Sequence, residues 1–144
     1  MNRCWRTLLG VTALLPIAGL AADTFSCPPE FPQFLARFES DFQFQASTVQ
    51  FPLFFAYLDA AAEPEPKRRT KRVSRESYTK AEYPYYPTPD IQAKRKLEKN
   101  IIESSSSKKV VRFNQPDSDA YSIEYHFKKV RQCWRLTFVE DYSL

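Results

Sequence analysis

The stretch Ala120–Glu140 constrains this chain more than any other. Tyr121, Ile123, Tyr125 and Phe127 alternate with Ser122, Glu124 and His126. A period of two puts aromatic and apolar side chains on one face of a strand and polar ones on the other. The polar loop Lys128–Gln132 follows, and the alternation resumes with Trp134, Leu136 and Phe138 set against Cys133, Arg135 and Thr137. Two such runs joined by a short loop predict an antiparallel hairpin. Upstream, Lys109–Phe113 (KVVRF) is a third β-branched run, and the turn formers of Asn114–Asp119 reverse the chain between them. The result is a three-stranded meander whose apolar face must be covered by earlier residues.

The chain opens with a segment of another kind. Met1–Ala22 carries Arg3 and Arg6, then an apolar run from Leu8 to Leu20, then small residues around Ala21 and Ala22. That is the pattern of a secretory signal peptide. The run is too short, and too interrupted by Gly10 and Pro16, for a stable membrane anchor. The mature chain, from residue 23 onward, is expected to be a single exported domain, periplasmic or secreted from a Gram-negative envelope. Cleavage would remove two of the four net positive charges, so the charge balance does not argue for nucleic acid. It would also remove Cys4 and leave Cys27 and Cys133. In an oxidising compartment these two are expected to form a disulfide, the alternative being two separate buried thiols.

The cover is expected from the N-terminal part. With Ser26 as N-cap and Pro28 or Pro29 in the first turn, Phe31, Phe34, Leu35 and Phe38 recur at helical spacing. Ser40 and Asp41 stop this helix and cap a short second one holding Phe42 and Phe44. Phe51–Asp59 (FPLFFAYLD) reads as a buried strand with proline near its start. The segment 60–87 is an arm of less definite structure. It holds a basic surface of Lys67, Arg68, Arg69, Lys71, Arg72 and Arg75, then Tyr78, Tyr83, Tyr85 and Tyr86 among prolines. The basic run suits a charged edge strand or a solvated loop, with attraction to an anionic envelope polymer as the functional alternative. The tyrosines suit a recognition rim or a cover for a sheet edge. Thr88-Pro89-Asp90 opens a further helix with Ala93, Leu97, Ile101 and Ile102 on its apolar side, broken at Ser104–Ser107. Lys94, Arg95, Lys96 and Lys99 read as its solvated face.

The chemistry these residues exclude is as informative. No glycine follows Gly19, which rules out a phosphate-cradling loop, a dinucleotide fingerprint and a nucleophile elbow. One histidine and two distant cysteines offer no zinc-ligand spacing, so no metal or cofactor is expected.

Element order and short motifs together resemble the NTF2-like cone, and within that superfold the uncharacterised exported bacterial family DUF4348. The resemblance lies in Cys27-Pro28 ahead of Phe31 and Phe34-Leu35, in Asp41-Phe42-Gln43, in Phe51-Pro52-Leu53, and in Tyr121–Phe127 with Cys133-Trp134-Arg135-Leu136 and Asp141. It implies an α+β fold in which a curved antiparallel sheet and helices enclose a cavity at the wide end. Inward candidates for a ligand pocket are Tyr57, Tyr121, Tyr125 and Trp134. Asp59 and His126 are the weak catalytic candidates; each has a simpler reading, as a strand-ending surface acid and as a structural residue on a polar strand face.

The leading expectation is a binding or interaction module for a small amphipathic ligand or a protein partner. The outer sheet face is available for pairing two copies as a homodimer. The alternative is an isomerase- or hydrolase-like enzyme using Asp59 or His126 with a tyrosine.

Overall fold

The computed structural model describes residues 26–82 and 84–143. The expected signal peptide, Met1–Ala22, and Tyr83 lie outside these residues. Helix α1 spans Phe31–Ser40 and α2 spans Phe42–Thr48, followed by strands β1 (Val49–Asp59) and β2 (Lys67–Val73). Two short helices, α3 (Arg75–Thr79) and α4 (Pro89–Arg95), precede β3 (Glu98–Ser104), β4 (Lys108–Asn114), β5 (Ser122–Val130) and β6 (Cys133–Asp141). The strands form one sheet in the order β2-β1-β6-β5-β4-β3. Every neighbouring pair is antiparallel except β1 with β6. The class is α+β with a curved, open sheet. Register shifts between His126 and Phe127 and between Ile101 and Glu103 fit that curvature, because a bulged strand bends.

The period-two reading holds along β5 and through Leu136 of β6. Beyond the register shift, Phe138, expected on the apolar face, turns outward against the His126 ring at 5.2 Å, and Val139 is buried in its place. Tyr125, Phe127, Trp134 and Leu136 are buried, and they face α1. Phe127 sits at the centre, its ring 5.5 Å from Phe31, 5.9 Å from Phe34 and 5.3 Å from Phe38. Edge-to-face contacts of this kind add about 0.5–1.5 kcal/mol each beyond the area they bury. The helix itself starts later than Ser26. Glu30 is its N-cap and Pro32 lies in the first turn. Consecutive prolines at 28 and 29 disfavour helical backbone in the residues before them, which explains the delay. Asp41 caps α2 as expected, accepting a hydrogen bond from the Phe44 amide at 3.0 Å.

Three further expectations need correction. The helix opened by Thr88 ends at Arg95, where Lys96 turns left-handed at φ 53° and the amides of Lys96 and Leu97 close back onto α4. Ile101 and Ile102 therefore stand on strand β3, 50% and 45% exposed, and line no helix. Pairing with β4 satisfies the backbone of these β-branched residues, and the serine tract is the hairpin turn between the two strands. Second, β1 is half-buried: Leu53 packs into the core and Ala56 is covered on the outer face, while Phe54 and Leu58 are exposed. Third, the segment 60–87, expected as an arm of less definite structure, is built into the fold. Its basic run is β2, the charged edge strand expected of it, and Tyr78 and Tyr86 enter the core.

Tyr86 is fully buried between Phe38, Phe113 and Tyr125, and its hydroxyl donates to Glu39 at 2.9 Å. Tyr78 donates to Gln45 Oε1 at 2.8 Å, while Gln45 Nε2 donates to the Phe38 carbonyl at 3.0 Å. Tyr78→Phe leaves that buried amide oxygen without its donor. We expect a loss of about 1–3 kcal/mol in urea unfolding, the desolvation cost of an orphaned acceptor. A variant as stable as the parent would show that Gln45 has another partner.

Candidate functional site

An aromatic cavity lies where residues 84–87, α4 and the sheet meet. Its walls are Phe55 of β1, Pro84, Tyr85 and Pro87, Ile91 and Arg95 of α4, and Tyr121, Ile123 and Tyr125 at the start of β5, with Ala81 and Glu82 at the rim. Its volume is about 390 Å³, within the usual range for small-molecule sites. The chain bends at Tyr85 and Tyr86, and Tyr85 forms one wall by stacking on Tyr78 at 5.2 Å and meeting Phe55 edge-on at 5.9 Å.

The polar groups are few. The hydroxyls of Tyr121 and Tyr125 are 3.4 Å apart. The Arg95 guanidinium lies 5.4 Å from the centre of the Tyr121 ring. Burial pushes the Tyr125 phenol well above its ordinary value, and neighbouring Tyr121 adds to that. Burial also raises Tyr121, partly offset by its contact with Tyr125 and by the positive charge of Arg95. Both phenols are therefore neutral hydrogen-bonding groups at physiological pH. Lys71 adds a second cation nearby, with Nζ 4.7 Å from the Phe55 ring centre and 5.9 Å from that of Tyr85.

Two of the four residues expected at the pocket are there, Tyr121 and Tyr125. Tyr57 shares a face of β1 with Phe55 but lies outside the lining, its ring 5.7 Å from Lys71 Nζ. Trp134 is at the far end of the β5–β6 hairpin, opposite Lys129, where it packs on Phe31 at 5.0 Å. Inward direction alone could not distinguish the two ends of a strand. The residues that sequence reasoning missed come from the Tyr-Pro segment and from Arg95, which had read as solvated helix surface. No local spacing in the sequence places these residues at the cavity.

The catalytic candidates are elsewhere. Asp59 accepts from Arg69 Nε at 2.7 Å at the end of β1. His126 sits on the outer face of the sheet beside Glu124 and Glu140. Neither borders the cavity. The basic residues are largely engaged within the protein. Arg68 pairs with Glu140, Arg72 lies over Phe54 at 5.7 Å, and Arg75 donates to the Ala46 carbonyl at 2.8 Å. The cysteines meet in a Cys27–Cys133 disulfide with Cα atoms 5.4 Å apart.

Comparison with known proteins addresses the fold. An NTF2-like protein from Bacteroides fragilis, known from its crystal structure, superposes with a TM-score of 0.58 at 16% identity. The match covers 80% of this chain and 47% of that one, so this chain spans about half the length of its structural neighbour. The fold is NTF2-like. No family model matches the chain, that of DUF4348 included, and no curated protein matches it.

Proposed function

We propose that this chain is an exported binding protein that holds one small amphipathic anion in the Tyr121–Tyr125 cavity. The observation that carries the reading is an aromatic and proline-lined enclosure with a guanidinium at its side. An apolar or aromatic body would lie against Phe55, Tyr85 and Ile123, and an anionic head would meet Arg95, with Lys71 near the same walls. Glu82 in the lining and Asp141, whose charge also reaches Tyr121, oppose these cations, so an anionic head is held by the Arg95 guanidinium itself and not by a general positive field. The Tyr121 and Tyr125 hydroxyls supply neutral hydrogen bonds that orient it. Export, through a signal peptide of the DUF4348 type, is part of the proposal; a disulfide closing most of the chain suits an oxidising compartment.

An isomerase- or hydrolase-like reaction draws no support from Asp59 or His126, which stand away from the cavity. The phenol pair is the group through which such chemistry would have to run.

The dye 1-anilinonaphthalene-8-sulfonate has the required aromatic body and anionic head, and serves as probe. The folded chain is expected to bind one equivalent saturably with a rise in fluorescence. Arg95→Ala should weaken binding about tenfold, or roughly 1.4 kcal/mol, and Tyr121→Ala at least as much. Absence of saturable binding, or Arg95→Ala binding like the parent, rejects this reading.

A further inference from the structure

The outer face of the sheet carries a polar constellation that the cavity does not use. Glu124 and His126 are two residues apart on β5, so they share that face. Glu140 stands directly opposite Glu124 on β6. All three are largely buried, with side chains 9%, 17% and 14% exposed. Like charges directly opposite one another in a ladder are destabilising, and burial increases the cost.

Two arginines answer half of that demand. Arg112, paired with Glu124 across β4 and β5, donates to Glu124 Oε1. Arg68 reaches over β1 to Glu140 Oε1; the β1 residue opposite Glu140 is Ala56, whose single methyl leaves the way open. Both guanidiniums thus hold the Oε1 atoms. The two Oε2 atoms turn toward one imidazole nitrogen, His126 Nε2, at 3.4 Å from Glu124 and 3.8 Å from Glu140. That nitrogen is shielded from solvent and makes no hydrogen bond among the described residues.

We propose that Glu124 Oε2, His126 Nε2 and Glu140 Oε2 form a binding site for a divalent transition-metal ion of the Zn²⁺ class. The three atoms lie within 4.8 Å of one another. With sides of 3.4 and 3.8 Å, such a triangle has a centre at most about 2.4 Å from its corners, close to the roughly 2.0–2.2 Å of zinc bonds to nitrogen and oxygen. One imidazole with two carboxylates is a donor set that suits Zn²⁺ and its neighbours in the first transition row better than Mg²⁺ or Ca²⁺. Arg112 and Arg68 take the place of the outer hydrogen bonds that fix ligating carboxylates in metal sites. The ion would tie β5 to β6 on the outer side of the sheet, away from the described helix α1.

The chain contains a single histidine, so its ring signals in NMR report on this site alone. Titrating the chain, free of any histidine tag, with Zn²⁺ is expected to shift the His126 ring signals saturably at one equivalent. The same concentrations of Mg²⁺ should leave them in place. Glu140→Gln and Glu124→Gln should each weaken saturation by about tenfold or more, while Asp59→Asn, which alters an ion pair away from the site, should bind as the parent does. Ring signals that stay put well beyond one equivalent of Zn²⁺ overturn the proposal, as does Glu140→Gln binding zinc equally well. Both glutamine variants disturb an arginine pair and could unfold. Paramagnetic Co²⁺ on the parent chain then decides by itself: large shifts at the His126 ring support the site, and their absence rejects it.

Discussion

Opening the Cys27–Cys133 bond is expected to cost about 4–5 kcal/mol of folding stability, given the 106 residues between its ends. Typical domains have about 5–15 kcal/mol in total, so the reduced chain would be marginal. The reason is partly the entropy returned to the unfolded chain and partly where the bond sits. Cys133 begins β6 beside Trp134, and Trp134 packs on Phe31 at the start of α1. The bond thus fastens the covering helix to the sheet at the point where the two first touch. Urea unfolding of the oxidised chain, the reduced chain and the Cys27→Ser/Cys133→Ser variant measures this directly. Coincident midpoints for all three would mean that the bond adds nothing to the folded state.

Alkaline conditions should unfold the protein steeply. Tyr78, Tyr86 and Tyr125 all have phenols raised above the ordinary value of 10.0. Burial is the main cause for each; Tyr85 adds to it for Tyr78, Glu39 for Tyr86 and Tyr121 for Tyr125. A group raised in the folded state binds its proton there after the unfolded chain has released it. Its stabilising effect is therefore whole below about pH 10 and falls as pH climbs past that value. Each such phenol removes about 1.4 kcal/mol per pH unit, and three together about 4 kcal/mol per unit. Ultraviolet absorbance should show some tyrosines ionising near pH 10 and the buried ones only together with the loss of near-ultraviolet circular dichroism. A smooth titration of all tyrosines in a chain that stays folded would refute this.

Much of the fold was legible because it depends on local period. The aromatic stripe of α1 and the alternation in β5 and the first half of β6 identify the buried face without reference to anything distant, whereas the bulge that turns Phe138 outward depends on the β5–β6 pairing. Residues 98–102 were misread for a related reason. Leu97 and Ile101 are four apart, which suits a helix, and only the left-handed Lys96 and the pairing with β4 decide otherwise. The cavity was half legible. Tyr121 and Tyr125 follow from strand direction, but Tyr85, Pro84 and Arg95 reach it through tertiary placement that no spacing encodes. The outer-face constellation was less accessible still. Glu124 and His126 are visible as neighbours on one strand face, yet Glu140 joins them only through the β5–β6 register, and Arg68 only by crossing a strand.

One consequence of the strand order concerns time. The last described strand in chain order, β6, lies between β1 and β5 near the middle of the sheet. Until residues 133–141 are available, the basic β1–β2 hairpin and the β3–β4–β5 meander have no common partner. Parallel pairing of β1 with β6 joins residues 84 to 87 apart in sequence (140 − 56 and 136 − 49), a separation that slows folding. The sheet is thus sealed by its middle strand, and its two local halves are expected to form before they join.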